Sequence, residues 1–200
     1  MPLTTTGKNN LIAVTSFTHC GALTALTSTE TSGGSYARQA ITWAAASSGT
    51  RANSAQISIP IAAGETIVAV SIHDALTAGT IQGYSQIGST LRGAATVEAT
   101  GNVFTSVAHG LAADGRVFVT TVGGDALPTG LDVTSIYWVR ATGLTSDAFT
   151  LSATQGGGAV DITAAGECAW FKTVPQTFSI AGNLILPSTT GLVIDVTAFG

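Results

Sequence analysis

The sequence has few charged residues. Lys, Arg, Asp and Glu together make up 9% of its 200 residues, whereas an average soluble domain contains about 25%. Ser, Thr, Gly and Ala occupy the remaining polar and small positions, and the mean hydropathy is +0.42. A free monomer depends on net and dispersed charge for solubility. The composition therefore indicates a component of a large assembly whose partner subunits cover much of its surface.

Basic residues are also scarce. The net charge is −4 and the pI about 5.1, and the positive side chains are scattered along the chain without forming a stripe. A nucleic-acid-binding protein is expected to carry a clustered basic surface, so we predict no nucleic-acid partner. The seven basic residues are Lys8, Arg38, Arg51, Arg92, Arg116, Arg140 and Lys172.

Long apolar runs and a signal sequence are absent from the chain. The longest apolar segments, such as residues 65–72 (ETIVAVSI), fall well short of the roughly 20 residues that span a bilayer. The first residues, MPLTTTGKNN, lack a basic region followed by an apolar one. We therefore expect no membrane partner and folding in a cytoplasm.

The sequence contains two cysteines, Cys20 and Cys168. A disulfide between them is conceivable, but buried free thiols are favoured.

Most of the sequence consists of short runs of β-forming residues separated by Gly, Ser, Asn and Asp. Residues 56–61 alternate polar and apolar, which indicates a strand with one buried face, and Pro60 within it indicates an edge strand or a bulge. We predict an all-β fold, with one short helix near residues 8–16 whose inner face holds Leu11, Ile12 and Thr15. The predicted strands are 37–45, 55–61, 66–73, 79–85, 96–99, 103–106, 116–121, 136–142, 148–152, 168–172, 176–180 and 192–197.

The middle of the chain differs in amino-acid composition from its two ends. Residues 94–173 hold most of the acidic residues, two of the three tryptophans and many Gly-rich turns. Domains are tolerated as insertions in exposed loops whose ends lie close together. We predict a discontinuous host domain, 1–93 plus 174–200, of β-sandwich or jelly-roll type, carrying an inserted β-module, 94–173. A single continuous β-domain with a long excursion is the alternative.

No constellation of residues predicts catalysis, a cofactor or a metal. Adjacent strand residues point to opposite faces, so neither His19-Cys20 nor His73-Asp74 chelates one ion easily, and no metal-ligand spacing is present. A nucleophile elbow and a phosphate-binding glycine loop are also missing. Four aspartates could in principle pair for glycoside cleavage, but all lie beside turn signals, which favours solvated turn carboxylates. They are Asp125, Asp132, Asp147 and Asp161.

The segment 33–43 (GGSYARQAITW) predicts structural roles. Its two glycines favour a turn. Tyr36 and Trp43 are large apolar anchors with one polar atom each, suited to a core edge or a subunit interface. Arg38 is the candidate for a structural ion pair or an interface contact. We therefore assign Tyr36, Arg38 and Trp43 as interface residues.

This segment, with the later strand ending in Asp74-Ala75, resembles a group of small β-proteins of tailed bacteriophages, especially those of actinobacteria. The group includes head-decoration and minor tail-fibre-like proteins. In the middle region, His109-Gly110-Leu111, Asp114-Gly115-Arg116, the Leu127-Pro128 turn and residues 137–139 (YWV) resemble a β-module inserted in phage virion proteins. The resemblance implies a virion location and no catalytic residues.

The resemblance leads to one main hypothesis and two alternatives. The main one is a capsid decoration protein that binds the major capsid protein in the assembled lattice and forms a homo-oligomer, with a trimer favoured. The first alternative is a tail-fibre or tail-tip adhesin that binds a host-surface glycan through Trp138, Tyr137 or Trp170. An adhesin is expected to expose these aromatic rings and a decoration protein to bury them. An enzyme such as a depolymerase is the least favoured.

Overall fold

A computed structural model describes residues 4–13, 15–26, 29–122 and 125–195. One short α-helix, α1 (Thr5–Ile12), precedes the strands. It starts earlier and ends earlier than predicted because the Thr4 hydroxyl caps its first turn, accepting from the Gly7 amide at 3.1 Å. Ile12 is buried as predicted, whereas Thr15 lies beyond the helix. Leu11 belongs to the helix, and its side chain lies outside the described part.

Strands account for most of the remaining regular structure, which confirms the predicted all-β class. No helix in the described ranges is long and apolar enough to cross a membrane. The strands are β1 His19–Ala25, β2 Thr29–Glu30, β3 Gln39–Ala40, β4 Thr50–Ala52, β5 Ile57–Ile61, β6 Thr66–Ile67, β7 Ala69–His73, β8 Ile81–Ser85, β9 Arg92–Glu98, β10 Val103–Thr105, β11 Arg116–Thr120, β12 Ile136–Val139, β13 Ala148–Phe149, β14 Leu151–Ser152, β15 Gly166–Thr173, β16 Gln176–Thr177, β17 Gly182–Leu186 and β18 Val193–Asp195.

The described residues form two compact units. Unit 1 comprises those within Met1–Thr24, Ser28–Ile87 and Pro175–Gly200, and unit 2 those within Ala25–Thr27 and Gly88–Val174. These bounds lie near the host and inserted ranges predicted from the sequence. Whether the units are separately folding domains stays a prediction, and a substitution described in the Discussion tests it.

Unit 1 is built on a five-stranded antiparallel sheet. Strands β2, β1, β7 and β8 lie in that order, and β3 also pairs with β1. The C-terminal strands then pair in succession with earlier ones: β16 with β6, β17 with β5 and β18 with β4. Cys20 and Val70 of the sheet and Ile59 and Leu184 of the β5–β17 ribbon share one apolar core, so the sheet and the ribbon pack face to face.

Strand β5 shows the alternation that the sequence predicts. Ile57, Ile59 and Ile61 are buried, while Ser58 and Pro60 are more exposed. Within the described residues, β5 pairs with β17 alone, so Pro60 lies in an edge strand as expected.

Unit 2 contains a seven-stranded antiparallel sheet that closes on itself. Its order is β13-β10-β9-β15-β11-β12-β14. The two edge strands, β13 and β14, are consecutive in the chain and separated by Thr150 alone, so one segment completes both edges and makes a small barrel. The interior is filled by Phe104, Val117, Phe149 and Trp170, among other apolar side chains.

The two ends of the long segment of unit 2, Gly88 and Val174, lie side by side. A methyl group placed on Gly88 would be 2.8 Å from Cβ of Val174, and Gly88 has a positive φ of 66°. Just inside this pair, the Lys172 amide donates to the Leu91 carbonyl at 2.9 Å. The long segment of unit 2, residues 88–174, therefore begins and ends at one place.

Some of the observed strands differ from those predicted from the sequence. Residues 37–45 were predicted as one strand, but only Gln39–Ala40 pairs regularly, and Trp43 forms an isolated bridge with Asn53. The predicted strand 66–73 is split at Val68, whose amide turns to the Leu23 carbonyl at 2.8 Å. Four strands lie outside the predicted ones: β1, β2, β4 and β17. The predicted end 196–197 lies outside the described residues.

The two cysteines are free and buried. Cys20 lies in the core of unit 1 and Cys168 in that of unit 2. Burial raises the pKa of each thiol to about 12, so both stay protonated and unreactive near neutral pH. The favoured prediction of buried free thiols is confirmed.

Candidate functional site

A cluster of polar side chains lies on one side of the unit 1 sheet. Arg38 donates to both carboxylate oxygens of Glu30, with Nη2 at 2.8 Å and Nε at 3.0 Å from Oε1, and Nε at 3.2 Å from Oε2. Its Nη1 reaches the Ala75 carbonyl at 3.0 Å. The Tyr36 hydroxyl donates to Oε2 at 2.9 Å and accepts from the Ala22 amide at 3.2 Å. The GGSYAR segment thus supplies two of the three partners of Glu30.

His73 is the third partner of Glu30. Its Nε2 lies 2.7 Å from Oε1 of Glu30 and 2.7 Å from Oγ of Ser71. His73 and Ser71 are fully buried. A Ser–His–acid triad requires the serine and the acid on opposite ring nitrogens. Here both oxygens face the same nitrogen, while Nδ1 has no hydrogen-bond partner among the described residues. The arrangement is that of a structural network and does not activate Ser71.

Gly21 makes room for this cluster. It lies on β1 directly opposite Ser71 of β7. A methyl group on Gly21 would come within 2.6 Å of the Tyr36 hydroxyl and 3.2 Å of Cδ of Glu30. The carboxylate can therefore reach its partners because this position carries no side chain.

The cluster shifts the pKa of its members. Burial would raise the pKa of Glu30, but hydrogen bonds from Arg38 and Tyr36 and the nearby positive charge outweigh it, so the pKa is lowered. Burial lowers the pKa of His73 by more than the Glu30 carboxylate raises it. Burial and the Glu30 carboxylate raise the pKa of Tyr36. Glu30 and Arg38 are thus the charged pair, and His73 is a neutral neighbour.

We expect His73 to make unit 1 less stable in mild acid. A base whose pKa is lower in the folded chain takes up its proton first in the unfolded chain. As the pH falls below the ordinary value of 6.5, the unfolded state binds protons that the folded state does not, and the free energy of unfolding decreases. Stability is regained as the pH rises toward 7. The measurement is urea unfolding of unit 1 between pH 7 and about 5.5, above the range in which Glu30 titrates.

His73→Gln should flatten this pH dependence because glutamine cannot take up a proton but can still donate to Glu30. His19→Gln is the matched control, since His19 lies directly opposite His73 in the β1–β7 pairing but is hydrogen-bonded to Thr18, at 2.8 Å, and not to Glu30. An unchanged slope in the His73 variant would contradict the assignment.

Trp43 lies at the margin of the unit 1 core. Its Nε1 donates to the Phe17 carbonyl at 2.6 Å, and the Arg51 guanidinium lies 5.4 Å from its ring centroid. The structure brings Tyr36 and Arg38 together in one cluster and places Trp43 at the core. The predicted structural ion pair of Arg38 is present. An interface role for the three residues stays a prediction.

The aromatic residues of unit 2 differ in exposure. Trp170 and Tyr137 are buried, 1% and 4% exposed, so they cannot serve as stacking platforms for a glycan. Trp138 is half-buried, and the Arg116 guanidinium lies 4.2 Å from its ring centroid. By the exposure criterion, Trp170 and Tyr137 are as expected of a decoration protein, and only Trp138 of the three candidates remains available to a glycan.

The turn chemistry predicted in unit 2 is observed. His109 Nδ1 accepts from the Leu111 amide at 2.9 Å, so the imidazole holds its own turn. Asp147 accepts from the Ala108 amide at 2.8 Å, and Asp132 from the Thr134 amide at 2.8 Å. Those two aspartates are turn carboxylates, and Asp125 and Asp161 are exposed. No cluster of three metal-ligating side chains occurs among the residues that the structure describes.

Sequence reasoning missed Glu30, the centre of the cluster. A signal was available, because Glu30 is the only carboxylate among the first 64 residues and lies eight residues before Arg38. Its side chain is 19% exposed, and a carboxylate this buried needs a charged partner. No sequence pattern connects His73 or Ser71 with Glu30.

Fold and cluster together define the class of protein: an all-β chain whose polar cluster ties its own strands and loops together. The chain belongs to the family described as Podophage GP4 fiber I protein gp80, whose family model matches residues 9–111, just over half of the chain. It is therefore a structural protein of a bacteriophage virion. The match includes the whole Glu30 cluster and extends into unit 2 as far as Leu111. No curated protein and no solved structure matches the chain.

Proposed function

We propose that this chain is a subunit of a tail fibre and that unit 2 contributes to recognition of a host-surface glycan. The observation that carries the proposal is the match to a family named for a fibre protein, across residues 9–111. It favours the fibre alternative over capsid decoration. The low charge of the chain supports its incorporation in a multi-subunit structure.

The location is tested by immunogold electron microscopy of intact particles, with an antibody against this chain. Label at the tail end is expected. Dense label over the head would overturn the fibre proposal and support binding to the major capsid protein. An actinobacterial host and a trimeric state are expectations that the same particles can test.

The glycan part of the proposal depends on Trp138 and Arg116. They are directly opposed on neighbouring strands β11 and β12, so a half-exposed indole and a guanidinium share one face of the barrel. An aromatic ring can pack on the apolar face of a sugar, and a guanidinium can donate to its hydroxyl groups. This pairing of groups is typical of a small, shallow polar-ligand site.

Binding of the isolated chain to polysaccharide extracted from the host surface tests the glycan part. Trp138→Ala should weaken binding by about tenfold, the effect of losing one central aromatic contact. Val107→Ala is the control, because Val107 is an 81% exposed apolar side chain of unit 2 away from the Trp138 strand. Equal binding by both variants would remove Trp138 from the proposal.

A further inference from the structure

Arg140 brings a second guanidinium to the face of unit 2 that carries Trp138 and Arg116. Val139 is buried in the barrel interior, and successive strand residues alternate between faces, so Trp138 and Arg140 both point outward. Arg116 lies directly opposite Trp138, which makes Arg116 and Arg140 diagonal neighbours on that face. The face proposed to bind a glycan therefore contains two arginines beside one indole.

Hydrogen bonds hold the Arg140 guanidinium on the β14 side of Trp138. Its Nε donates to the Gly157 carbonyl at 3.1 Å, and its Nη1 donates to Oγ1 of Thr150 at 3.4 Å. Gly157 lies against Ser152, since a methyl group placed on Gly157 would be 2.6 Å from the Ser152 hydroxyl oxygen. Ser152 is directly opposite Trp138. The loop after β14 therefore borders the indole on one side, and Arg116 of β11 borders it on the other.

The protein leaves the charge of both guanidinium groups uncompensated. Among the residues that the structure describes, no carboxylate forms an ion pair with Arg116 or Arg140. Asp114, two residues before Arg116, is exposed and pairs with neither. Within the same described part of the chain, the Arg116 side chain contacts the Trp138 ring, at 4.2 Å from the centroid, and its N–H groups have no acceptor. Nη2 of Arg140 also has no acceptor there.

Two uncompensated positive charges on one face favour an anionic ligand. Like charges this close repel each other, and an anion bound beside both removes the repulsion. Guanidinium groups donate in a planar fork that matches carboxylate and phosphate oxygens, whereas the hydroxyl groups of a neutral sugar leave the charge unmatched. The chain as a whole has a net charge of −4, which disfavours an extended polyanion such as a nucleic acid.

We propose that unit 2 selects a glycan that carries carboxylate or phosphate groups over a neutral one. Arg116 and Arg140 bind the anionic group, and Trp138 packs against the adjoining sugar ring. Such selection rests on the proposed glycan binding and adds to it the charge of the ligand. All three residues lie outside residues 9–111, the range that the family model matches.

Binding of the full chain to two fractions of host-surface polysaccharide, separated by anion exchange into acidic and neutral material, tests the selection. The acidic fraction should bind about tenfold more tightly. Reduction of its carboxylates to alcohols, or removal of its phosphate groups with hydrofluoric acid, should abolish this advantage, and the treatment that does so identifies the group that is bound. Binding that neither treatment changes would overturn the anion preference.

Variants assign the selection to the two arginines. Arg116→Met and Arg140→Met should each weaken binding to the acidic fraction by about tenfold, the effect of losing a charge-assisted hydrogen bond, and should change binding to the neutral fraction less. Arg92→Met is the matched control, because it alters the net charge equally. Arg92 is exposed on β9, which β15 separates from β11. An equal loss in this control would indicate a general charge effect and overturn the assignment.

The remaining outcomes separate the anion preference from glycan binding itself. Equal binding to both fractions, weakened by Trp138→Ala, would retain the glycan proposal and overturn the preference. No binding of wild type to either fraction would overturn both. A single-stranded oligonucleotide bound as tightly as the acidic fraction would overturn selection of a glycan. Thermal unfolding shows whether each variant is folded, and Arg116→Met serves if Arg140→Met is not.

Discussion

Arg38→Met should destabilise unit 1 by about 3 kcal/mol, because it leaves the Glu30 carboxylate largely buried without its strongest partner. The side chains of Arg38 and Glu30 are only 14% and 19% exposed, so water replaces the guanidinium poorly. Loss of the contact to the Ala75 carbonyl adds to the effect. The measurement is urea unfolding, with hydrogen exchange of the β1 and β7 amides to locate the loss in unit 1.

Two further variants separate the ion pair from general loss of packing. Glu30→Gln combined with Arg38→Met should cost less than the sum of the two single substitutions, because the double variant leaves no unpaired charge. Arg116→Met removes a half-exposed guanidinium that lies over Trp138, and should cost less than about 1 kcal/mol. Additive losses in the double variant would show that Glu30 and Arg38 do not act as a pair.

Trp170→Ala should destabilise unit 2 by about 3–5 kcal/mol, the usual loss when a fully buried tryptophan is truncated. The ring is 1% exposed and packs edge-on against Phe149 at 6.1 Å between centroids. Its Nε1 donates to Oγ of Ser106 at 3.1 Å, so the substitution also leaves a buried hydroxyl without its donor. Urea unfolding followed by amide exchange in β11 and β15 measures the effect.

The same variant tests the predicted domain division. If unit 2 is an inserted domain that folds separately, exchange of the β1 and β7 amides stays as in wild type while β11 and β15 exchange faster. Trp138→Ala is the control for removal of an indole, and its smaller burial predicts a smaller loss. Equal acceleration in both units would favour the single continuous domain.

The fold class could be predicted because alternation and turn residues are local signals. Residues 56–61 show this, since the isoleucines that alternate in sequence are the ones that are buried. Strand β1 could not be found in this way, because Gly21 and its small neighbours have weak β-propensity, and the strand is held by pairing with β2, β3 and β7. The closing of the unit 2 sheet through Thr150 depends on contacts between distant strands, which no local pattern encodes.

The polar cluster was predictable in part. The GGSYAR segment singled out Tyr36 and Arg38, and the scarcity of acids near Arg38 could have identified Glu30. Ser71 could not have been found, because it looks like any other polar residue of a strand until Gly21 is seen opposite it. The structure was needed to choose among the aromatic candidates for glycan binding. The sequence does not show which of the rings of Tyr137 and Trp138 faces the barrel interior.

The adjacency of Gly88 and Val174 has a consequence for how such a chain can evolve. Because residues 88–174 begin and end at one place, recombination could remove or exchange this segment while the flanking strands keep their pairing. Replacing residues 88–174 by a short glycine linker would then leave the remainder of the chain with all its ladders. If unit 2 binds the host surface as proposed, such an exchange would change what the virion recognises while the strand pairing of unit 1 is kept.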